Sequence, residues 1–408
     1  MTLQNTPRGM RLHIGIFGRR NVGKSSLLNA ILRQNVSIVS EIAGTTTDPV
    51  EKPMELLPLG PVLFIDTAGI DDDAGNLGEE RVRRTRSVFD RTELAILVVS
   101  ENIWGNFEEL IRQEFSRRNV PLLVIFNKSD ITPVSKSLVE CITHQYQLPS
   151  VSISTKTGEG LATLREKILE SVPEEWLSSP PIVADLLPSD GTVILVIPID
   201  KEAPKGRLIL PQVQTIRDLL DAGKNCMITR ETELKIALRQ LKEKPALVIT
   251  DSQVFKQVAE IIPPDVFLTG FSVLFAQVKG DITTLIEGTK AIKNLRPGDH
   301  ILIAESCSHH PIGEDIGRVK IPRWLETYVH GSLAFHHVQG HDFPEDLSPY
   351  QLVIHCGGCM TNRKAILSRI LKCAQQNVPI TNYGLTIAFS QGIFDRAIKI
   401  LEQKNETE

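Results

Sequence analysis

The sequence has few cysteines, no large charge excess and no long apolar run. Six cysteines, unevenly placed among 408 residues, are too few for a disulfide framework. Basic and acidic residues number 45 and 49, so the net charge of −4 gives no electrostatic reason to expect nucleic acid as a partner. No apolar run could span a bilayer, and the first residues lack a signal-peptide core. We therefore expect a cytoplasmic protein with reduced thiols and no membrane contact.

The chain is long enough for about three domains at roughly 150 residues each. Short β-branched runs alternate with amphipathic stretches almost throughout, which is the pattern of an α/β fold. We predict an N-terminal nucleotide-binding domain over 8–173, a middle α/β domain over 180–264 and a C-terminal α/β domain over 265–408. The middle segment lacks a cluster of titratable residues, which favours a packing or self-association module.

The stretch "GRRNVGKS", Gly18 to Ser25, matches the phosphate-binding loop pattern and lies between a predicted strand and a predicted helix. Its glycines let backbone N–H groups surround phosphates. Lys24 supplies positive charge to the β- and γ-phosphates, and the Ser25 hydroxyl suits magnesium. The predicted contacts of this loop are Gly18, Asn21, Val22, Gly23, Lys24, Ser25 and Ser26.

Three further motifs follow in the order that a guanine-nucleotide site requires. "DTAG", Asp66 to Gly69, ends a predicted strand and suits magnesium and the γ-phosphate. "NKSD" ends the next predicted strand but one. Its carboxylate, Asp130, can accept hydrogen bonds from the ring N–H and the amine of guanine, a pair of donors that adenine does not present. "STK" fits a loop that closes over the base. The predicted base contacts are Asn127, Lys128, Asp130, Ser154, Thr155 and Lys156, and the predicted ligand is GTP.

These motifs resemble the translation-factor-like GTPases of the Era and tRNA-modification branch. The resemblance implies that "SEIAGTTTD", residues 40–48, is the first switch, with Thr46 as a magnesium ligand. It also implies a potassium ion on Asn21 and Thr45. Ile70 stands where Ras-like proteins carry a water-positioning glutamine, which implies slow hydrolysis assisted by potassium. The residues given catalytic roles on this basis are Lys24, Thr46 and Gly69.

The last third of the chain concentrates cysteine and histidine at two strand ends. "ESCSHHP" places Cys307 and His309 after the strand-like "DHILIA", and "YQLVIHCGGCM" places His355, Cys356 and Cys359 after another. In an open parallel sheet the carboxyl ends of strands form the ligand crevice, so three thiolates would meet there. Three thiolates and an imidazole suit either structural zinc or a four-iron cluster, and spacing does not decide between them. The remaining cysteines fit small buried hydrophobes: Cys141, Cys226 and Cys373.

The GTPase motif set is followed by a cysteine-x-histidine pair, 45 further residues and HCxxC. In this order the chain resembles the HydF family of [FeFe]-hydrogenase maturation GTPases over nearly its whole length. The resemblance implies a 4Fe-4S cluster on Cys307, Cys356 and Cys359, with His309 or His355 as a possible fourth ligand. It also implies a dimer that carries a di-iron precursor as cargo, two radical-SAM maturases as partners and apo-hydrogenase as the recipient. The alternative is a zinc-containing, potassium-dependent GTPase of RNA modification or ribosome assembly, although the chain has no basic domain for that role.

Overall fold

A computed structural model describes most of the chain. The described residues are 6–34, 50–67, 87–177, 181–188, 191–199, 208–306, 315–340 and 342–405. The chain divides into two compact units, Met1–Ser179 and Pro180–Glu408, which we describe separately. Across the described ranges, no helix is both long enough and apolar enough to cross a membrane.

The first unit contains a six-stranded sheet. Its strands are β1 (Leu12–Phe17), β2 (Val50–Leu56), β3 (Gly60–Asp66), β4 (Leu94–Val99), β5 (Leu122–Phe126) and β6 (Ser150–Ser152), in the spatial order β2-β3-β1-β4-β5-β6. Only β2 runs antiparallel to its neighbour. The helices whose two ends are described are α1 (Lys24–Gln34), α2 (Asn106–Arg117), α3 (Lys136–Glu140), α4 (Leu161–Glu170) and α5 (Glu174–Leu177).

Every residue of the central strands β1, β4 and β5 is buried. Alternate side chains of these strands enter two different hydrophobic clusters, one on each face of the sheet. Continuous apolar strands of this kind occur where helices cover both faces of a parallel sheet. The apolar runs in the sequence therefore produce the layered α/β architecture that places the strand ends at one edge.

The second unit begins with a parallel four-stranded sheet. Its strands are β7 (Val193–Val196), β8 (Cys226–Thr229), β9 (Leu247–Thr250) and β10 (Phe267–Gly270), in the order β10-β9-β7-β8. The helices of this segment are α6 (Leu210–Asp221), α7 (Leu234–Gln240) and α8 (Phe255–Ile261). Because β10 pairs with β9, the middle sheet extends past the predicted boundary at 264/265, which separates this strand from its sheet.

A second parallel four-stranded sheet completes this unit. Its strands are β11 (His300–Glu305), β12 (Ala334–Gln339), β13 (Leu352–His355) and β14 (Ile380–Asn382), in the order β12-β11-β13-β14. The helices around it are α9 (Phe271–Lys279), α10 (Ile282–Lys290), α11 (Ile321–Val329), α12 (Arg363–Gln375), α13 (Tyr383–Ser390) and α14 (Phe394–Asn405). The histidines His336 and His337 lie in the edge strand β12.

The last helix of the chain packs on the middle sheet. The Thr269 hydroxyl at the edge strand β10 donates to the Ala397 carbonyl over 2.8 Å. The Arg396 guanidinium donates to the carbonyls of Ala259 and Ile262, at 2.9 and 3.0 Å. One hydrophobic cluster contains side chains from both sheets of this unit, so the two sheets share a core.

Gly288 fixes the approach of α10 to the last strand of the second sheet. A Cβ atom built on Gly288 would lie 1.8 Å from the carbonyl oxygen of Ile380 and 2.5 Å from its carbonyl carbon. Both are backbone atoms, so relief requires the helix to move away from β14. Only glycine allows this close packing.

We predict that Gly288→Ala destabilises the second unit. Alanine gains up to about 1 kcal/mol of helix propensity, but overpacking costs about 1–3 kcal/mol or more. Contact with backbone places the cost at the upper end, so urea unfolding should show a net loss of about 2 kcal/mol. Thr283→Ala, at an exposed position of the same helix, is the control and should change stability by less than about 0.5 kcal/mol. Equal stability of the two variants would contradict the packing argument.

Candidate functional site

The phosphate-binding loop follows β1 and leads into α1. Gly18 and Gly23 have φ angles of +150° and +98°, where a side chain is strained. A Cβ atom on Gly18 would lie 2.5 Å from the Val98 carbonyl oxygen, and one on Gly23 would lie 2.2 Å from the Asn127 amide nitrogen. The loop is therefore packed against the ends of two other strands, and only glycine fits at these points.

The loop carries its functional side chains at the carboxyl edge of the sheet. The Lys24 ammonium is buried and donates to the carbonyls of Gly18 and Arg19, at 2.6 and 2.8 Å. The Ser25 hydroxyl donates to Oδ2 of Asp66 over 2.8 Å. Oδ1 of Asp66 is buried and has no hydrogen-bond partner among the described residues. A hydroxyl and a buried carboxylate oxygen at one point suit a hard cation such as magnesium.

The predicted guanine-binding residues also come together. The Asn127 amide donates to the Val22 carbonyl over 2.8 Å, and its oxygen accepts the Thr155 N–H at 3.3 Å. The Ser154 hydroxyl donates to the Asp130 carboxylate over 2.6 Å. These bonds connect the phosphate loop with both base motifs. The remaining predicted contacts, Asn21, Ser26, Lys128 and Lys156, are exposed or half-exposed.

An ion pair that the motifs do not reveal anchors the phosphate loop to α2. The Arg19 guanidinium donates twice to the Glu108 carboxylate, with both distances 2.8 Å. Glu108 is 1% exposed and also accepts the Gly105 N–H at 2.9 Å, which caps the start of the helix. This bidentate arginine–carboxylate pair has a buried acceptor, so it fixes the loop backbone at Arg19, whose carbonyl accepts from Lys24. The helix-start glutamate was visible in the sequence, but its partner 89 residues away was not.

Several predicted site residues lie outside the described residues. They are Thr45, Thr46, Gly69, Ile70, Cys307 and His309. The roles given to them remain predictions.

The predicted metal site centres on the carboxyl ends of β11 and β13. These strands pair in parallel, with Ala304 opposite His355, so the residues just beyond them face each other. The Ser306 N–H donates to Sγ of Cys356 over 3.1 Å, and the Ser306 Oγ lies 3.3 Å from the same sulfur. Burial raises the pKa of the Cys356 thiol, while the hydrogen bonds from Ser306 and the Gly358 N–H lower it. The structure thus places Cys356 against the residue that precedes Cys307 in sequence.

Cys359 is half-buried in the loop that follows Cys356. Gly358 has a φ angle of +62°, and a Cβ there would lie 2.4 Å from the Ile366 side chain. The Lys279 ammonium donates to the Thr361 carbonyl over 3.0 Å and holds the far end of the loop. Helix α12 begins at Arg363, four residues after Cys359.

His355 makes two hydrogen bonds with its ring nitrogens. Nδ1 lies 2.6 Å from the Cys356 carbonyl oxygen and Nε2 lies 2.7 Å from Nη1 of Arg369. Burial and the Arg369 guanidinium lower the pKa of His355 to about 3, so the ring is neutral. Nδ1–H therefore donates to the carbonyl and Nε2 accepts from Arg369. Iron coordination by His355 would require one of these bonds to break, which favours a role in holding the cysteine loop.

A buried polar group beside this site was not anticipated from the sequence. Glu305, at the end of β11, accepts from the Tyr383 hydroxyl and the Gln339 amide, each at 3.2 Å. Arg318 Nη2 lies 3.6 Å from its carboxylate. Burial and Glu305 raise the pKa of Tyr383. A single glutamate that ends an apolar strand is the only sequence signal for this network. Within the described ranges, no three histidine, cysteine or acidic side chains form a metal-binding group.

The fold and the nucleotide site define the first unit as a P-loop GTPase domain, joined to two parallel α/β sheets of which the second ends in a cysteine loop. Family models match all three segments: a 50S ribosome-binding GTPase over 13–128, the Hydrogen maturase F dimerization domain over 182–280 and the Hydrogen maturase F tetramerization domain over 283–400. The chain belongs to the hydrogen maturase F family. The predicted family and the predicted fold class, with its N-terminal P-loop GTPase domain, are confirmed.

Similar proteins match the GTPase unit. The chain is 35% identical over 167 residues to GTPase Der of Wolinella succinogenes, covering 39% of this chain and 35% of that protein. It is 40% identical over 161 residues to tRNA modification GTPase MnmE of Syntrophotalea carbinolica, covering 39% and 33%. The chain thus spans about a third of the length of these relatives. A crystal structure of Era from Aquifex aeolicus is 22% identical and covers 53% of this chain and 91% of that one, with a TM-score of 0.33.

We predict that Asp130→Asn changes base preference from guanine to xanthine. The variant loses an acceptor for two guanine donors, and hydrogen bonds to charged groups contribute about 1.5–3 kcal/mol each, so GTP affinity should fall about 100-fold or more. Xanthosine triphosphate, which presents an acceptor in place of the amine, should bind better than to the parent. Competition with a fluorescent nucleotide measures both.

Ser154→Ala is the matched control, because it removes only the hydroxyl that orients Asp130. It should weaken GTP binding without recruiting the xanthosine nucleotide. Equal binding of ATP and GTP to the parent would contradict the base assignment.

Proposed function

We propose that the chain is a GTP-hydrolysing scaffold of hydrogenase maturation that holds a 4Fe-4S cluster and delivers a di-iron precursor to apo-[FeFe]-hydrogenase. The observation that supports it most is the contact of Ser306 with the Cys356 sulfur, in a chain of the hydrogen maturase F family. Cys307 is the next residue after Ser306, so a cluster shared by the two cysteine segments is consistent with this contact. Cys307, Cys356 and Cys359 are the proposed cluster ligands.

The residues at the cysteine loop fit such a cluster. Cys356 and Cys359 form no disulfide among the described residues, and backbone N–H groups of Ser306 and Gly358 point to the Cys356 sulfur. A Cβ atom on Gly357 would meet no described atom within 4 Å, so the loop is open at this position. Thiolates with N–H donors in an apolar surrounding are the usual ligand set of iron–sulphur clusters. When bound, the cluster would supply an iron with an exchangeable fourth ligand.

Positive charge around the loop offsets the charge of three thiolates. The buried Lys279 donates to the loop carbonyl of Thr361, and Arg363 donates to the Val278 carbonyl over 3.1 Å. Arg369 donates to Nε2 of His355 over 2.7 Å. A carrier needs to hold an anionic group stably and still release its cargo. Cations fixed by these hydrogen bonds serve the first need, and an exchangeable ligand position would serve the second.

The nucleotide site acts as the switch in this proposal. Ser25 and the unpaired Asp66 oxygen would hold magnesium together with Thr46. Asn21 and Thr45 would hold potassium, and Lys24 would stabilise charge on the transferred phosphate. Ordering of the switch segments around the γ-phosphate would change how partners dock. The proposed partners are two radical-SAM maturases that supply the di-iron cargo and the apo-hydrogenase that receives it.

We predict slow GTP hydrolysis, because Ile70 stands where Ras-like proteins carry the water-positioning glutamine. We also predict a higher rate in potassium than in sodium, because Asn21 is a proposed potassium ligand. Release of phosphate is measured in matched potassium and sodium chloride. Lys24→Ala should abolish turnover, because neutral alanine cannot offset phosphate charge. Identical rates in the two salts would remove potassium from the mechanism.

Self-association is proposed at the edge strand β8 of the middle sheet. This edge is only partly buried, and Ile228 on it is 52% exposed. Ile236 and Leu220, on α7 and α6, are 56% and 61% exposed. An open strand edge with apolar side chains is a template for pairing with another chain. The matched dimerization model covers this segment.

We predict that Ile228→Lys converts the dimer to a lower-mass species, because a charge on an edge strand opposes edge-to-edge pairing. Light scattering after size exclusion measures the mass. Ile131→Lys is the control, since Ile131 is 67% exposed in the other unit. An unchanged mass for Ile228→Lys would place the interface elsewhere.

We predict that Cys→Ser at position 307, 356 or 359 removes most of the iron, because two thiolates hold a four-iron cluster weakly. Iron analysis and the absorption spectrum of anaerobically purified protein test this, with Cys141→Ser as control. GTP hydrolysis should persist in all variants, while hydrogenase activation in a reconstituted maturation assay should fail in the three site variants. A colourless parent with stoichiometric zinc would favour the RNA-related GTPase instead.

A further inference from the structure

The Ser306 contact with Cys356 is built into the strand ladder. The Cys356 N–H donates to the Ala304 carbonyl over 2.9 Å, which extends the β11–β13 pairing by one residue beyond the strands. The next hydrogen bond along is the one from the Ser306 N–H to the Cys356 sulfur, at 3.1 Å. The donor is thus held by sheet geometry, and the sulfur takes the place of the next backbone acceptor.

The Ser306 side chain adds a second contact to the same sulfur. In the thiol form, the Cys356 S–H points to the Ser306 oxygen over 3.3 Å. A sulfur that binds metal has no proton. Because a serine hydroxyl can rotate and can either donate or accept, its O–H would then donate to the sulfur. The same geometry therefore serves both forms of the cysteine.

We propose that Ser306 is a positioning residue that raises the reduction potential of the cluster through two hydrogen bonds to Cys356, one from N–H and one from O–H. This inference rests on the proposed function. Reduction adds one electron, and part of its charge resides on the ligand sulfurs. Hydrogen-bond donors stabilise the more negative state more strongly, so each donor shifts the potential upwards. The reduced dielectric around the half-buried Cys356 sulfur strengthens the effect.

Other donors to this sulfur make the test specific. The Gly358 N–H also reaches Cys356, so loss of one hydroxyl leaves two backbone donors in place. Ser306→Ala should therefore keep the cluster and change only its potential. Ser306→Thr retains the hydroxyl and is the matched control.

The test uses full-length protein loaded with its cluster under anaerobic conditions. Dithionite supplies the electron, and electron paramagnetic resonance follows the reduced cluster at poised potentials. Ser306→Ala should hold as much iron as the parent and have a more negative midpoint potential, whereas Ser306→Thr should stay near the parent. A Ser306→Ala protein with full iron and the parent's midpoint would overturn the inference. Failure of the parent itself to bind iron would overturn the proposed function instead.

A second measurement covers the case in which Ser306→Ala loses iron. In the parent, exchange into heavy water should remove strongly coupled exchangeable protons from the electron–nuclear double resonance spectrum of the reduced cluster. The Ser306→Thr variant should lose the same proton couplings on exchange into heavy water. A parent spectrum without exchangeable couplings would also overturn the inference.

Discussion

Parallel strand pairing is the constraint on which both sites of this chain depend. In a parallel sheet all strands end at the same edge, so residues far apart in sequence meet there without any long-range side-chain design. In the first unit this pairing brings Ser25 to Asp66, 41 residues apart. In the second it brings Ser306 to Cys356, 50 residues apart. The apolar interior of each strand supplies the stability, and the first polar residues beyond it supply the chemistry.

The two sites stabilise their loops in the same way, by cations that donate to backbone carbonyls. Lys24 grips the phosphate loop through two carbonyls, and Lys279 grips the cysteine loop through one. A buried ammonium is costly unless it is hydrogen-bonded, so each lysine also locks the local backbone. When phosphate arrives, Lys24 can exchange carbonyl partners for phosphate oxygens. Lys279 lies beneath its loop and retains its structural role.

Sequence patterns predicted the buried strands well, because continuous apolar runs such as β11 leave little choice of structure. They failed where the pattern was mixed. Strand β12 contains His336 and His337 and lies at an edge with partial burial, so it lacks both alternation and an apolar run. Strand β10 and helix α9 form one apolar stretch without a turn signal, which hid the end of the middle sheet.

The convergence of the nucleotide motifs was predictable, because each motif carries its own spacing rule. The Arg19–Glu108 pair and the Glu305–Tyr383 contact were not, since a lone charge in a sequence does not indicate its partner. The role of His355 shows the same limit. Its position beside Cys356 suggested a ligand, whereas the contact with Arg369, fourteen residues later on α12, gives it a structural partner.

The position of α14 has a consequence for how the protein is made. Ala397 of this helix accepts a hydrogen bond from Thr269 of β10, 128 residues earlier in the chain. The helix thus packs on the edge strand of the middle sheet. During synthesis that sheet emerges long before the helix that completes it, and contacts of such separation form slowly. The contact that covers β10 therefore forms only after α14 has been synthesised, so the middle sheet is completed later than its position in the sequence suggests.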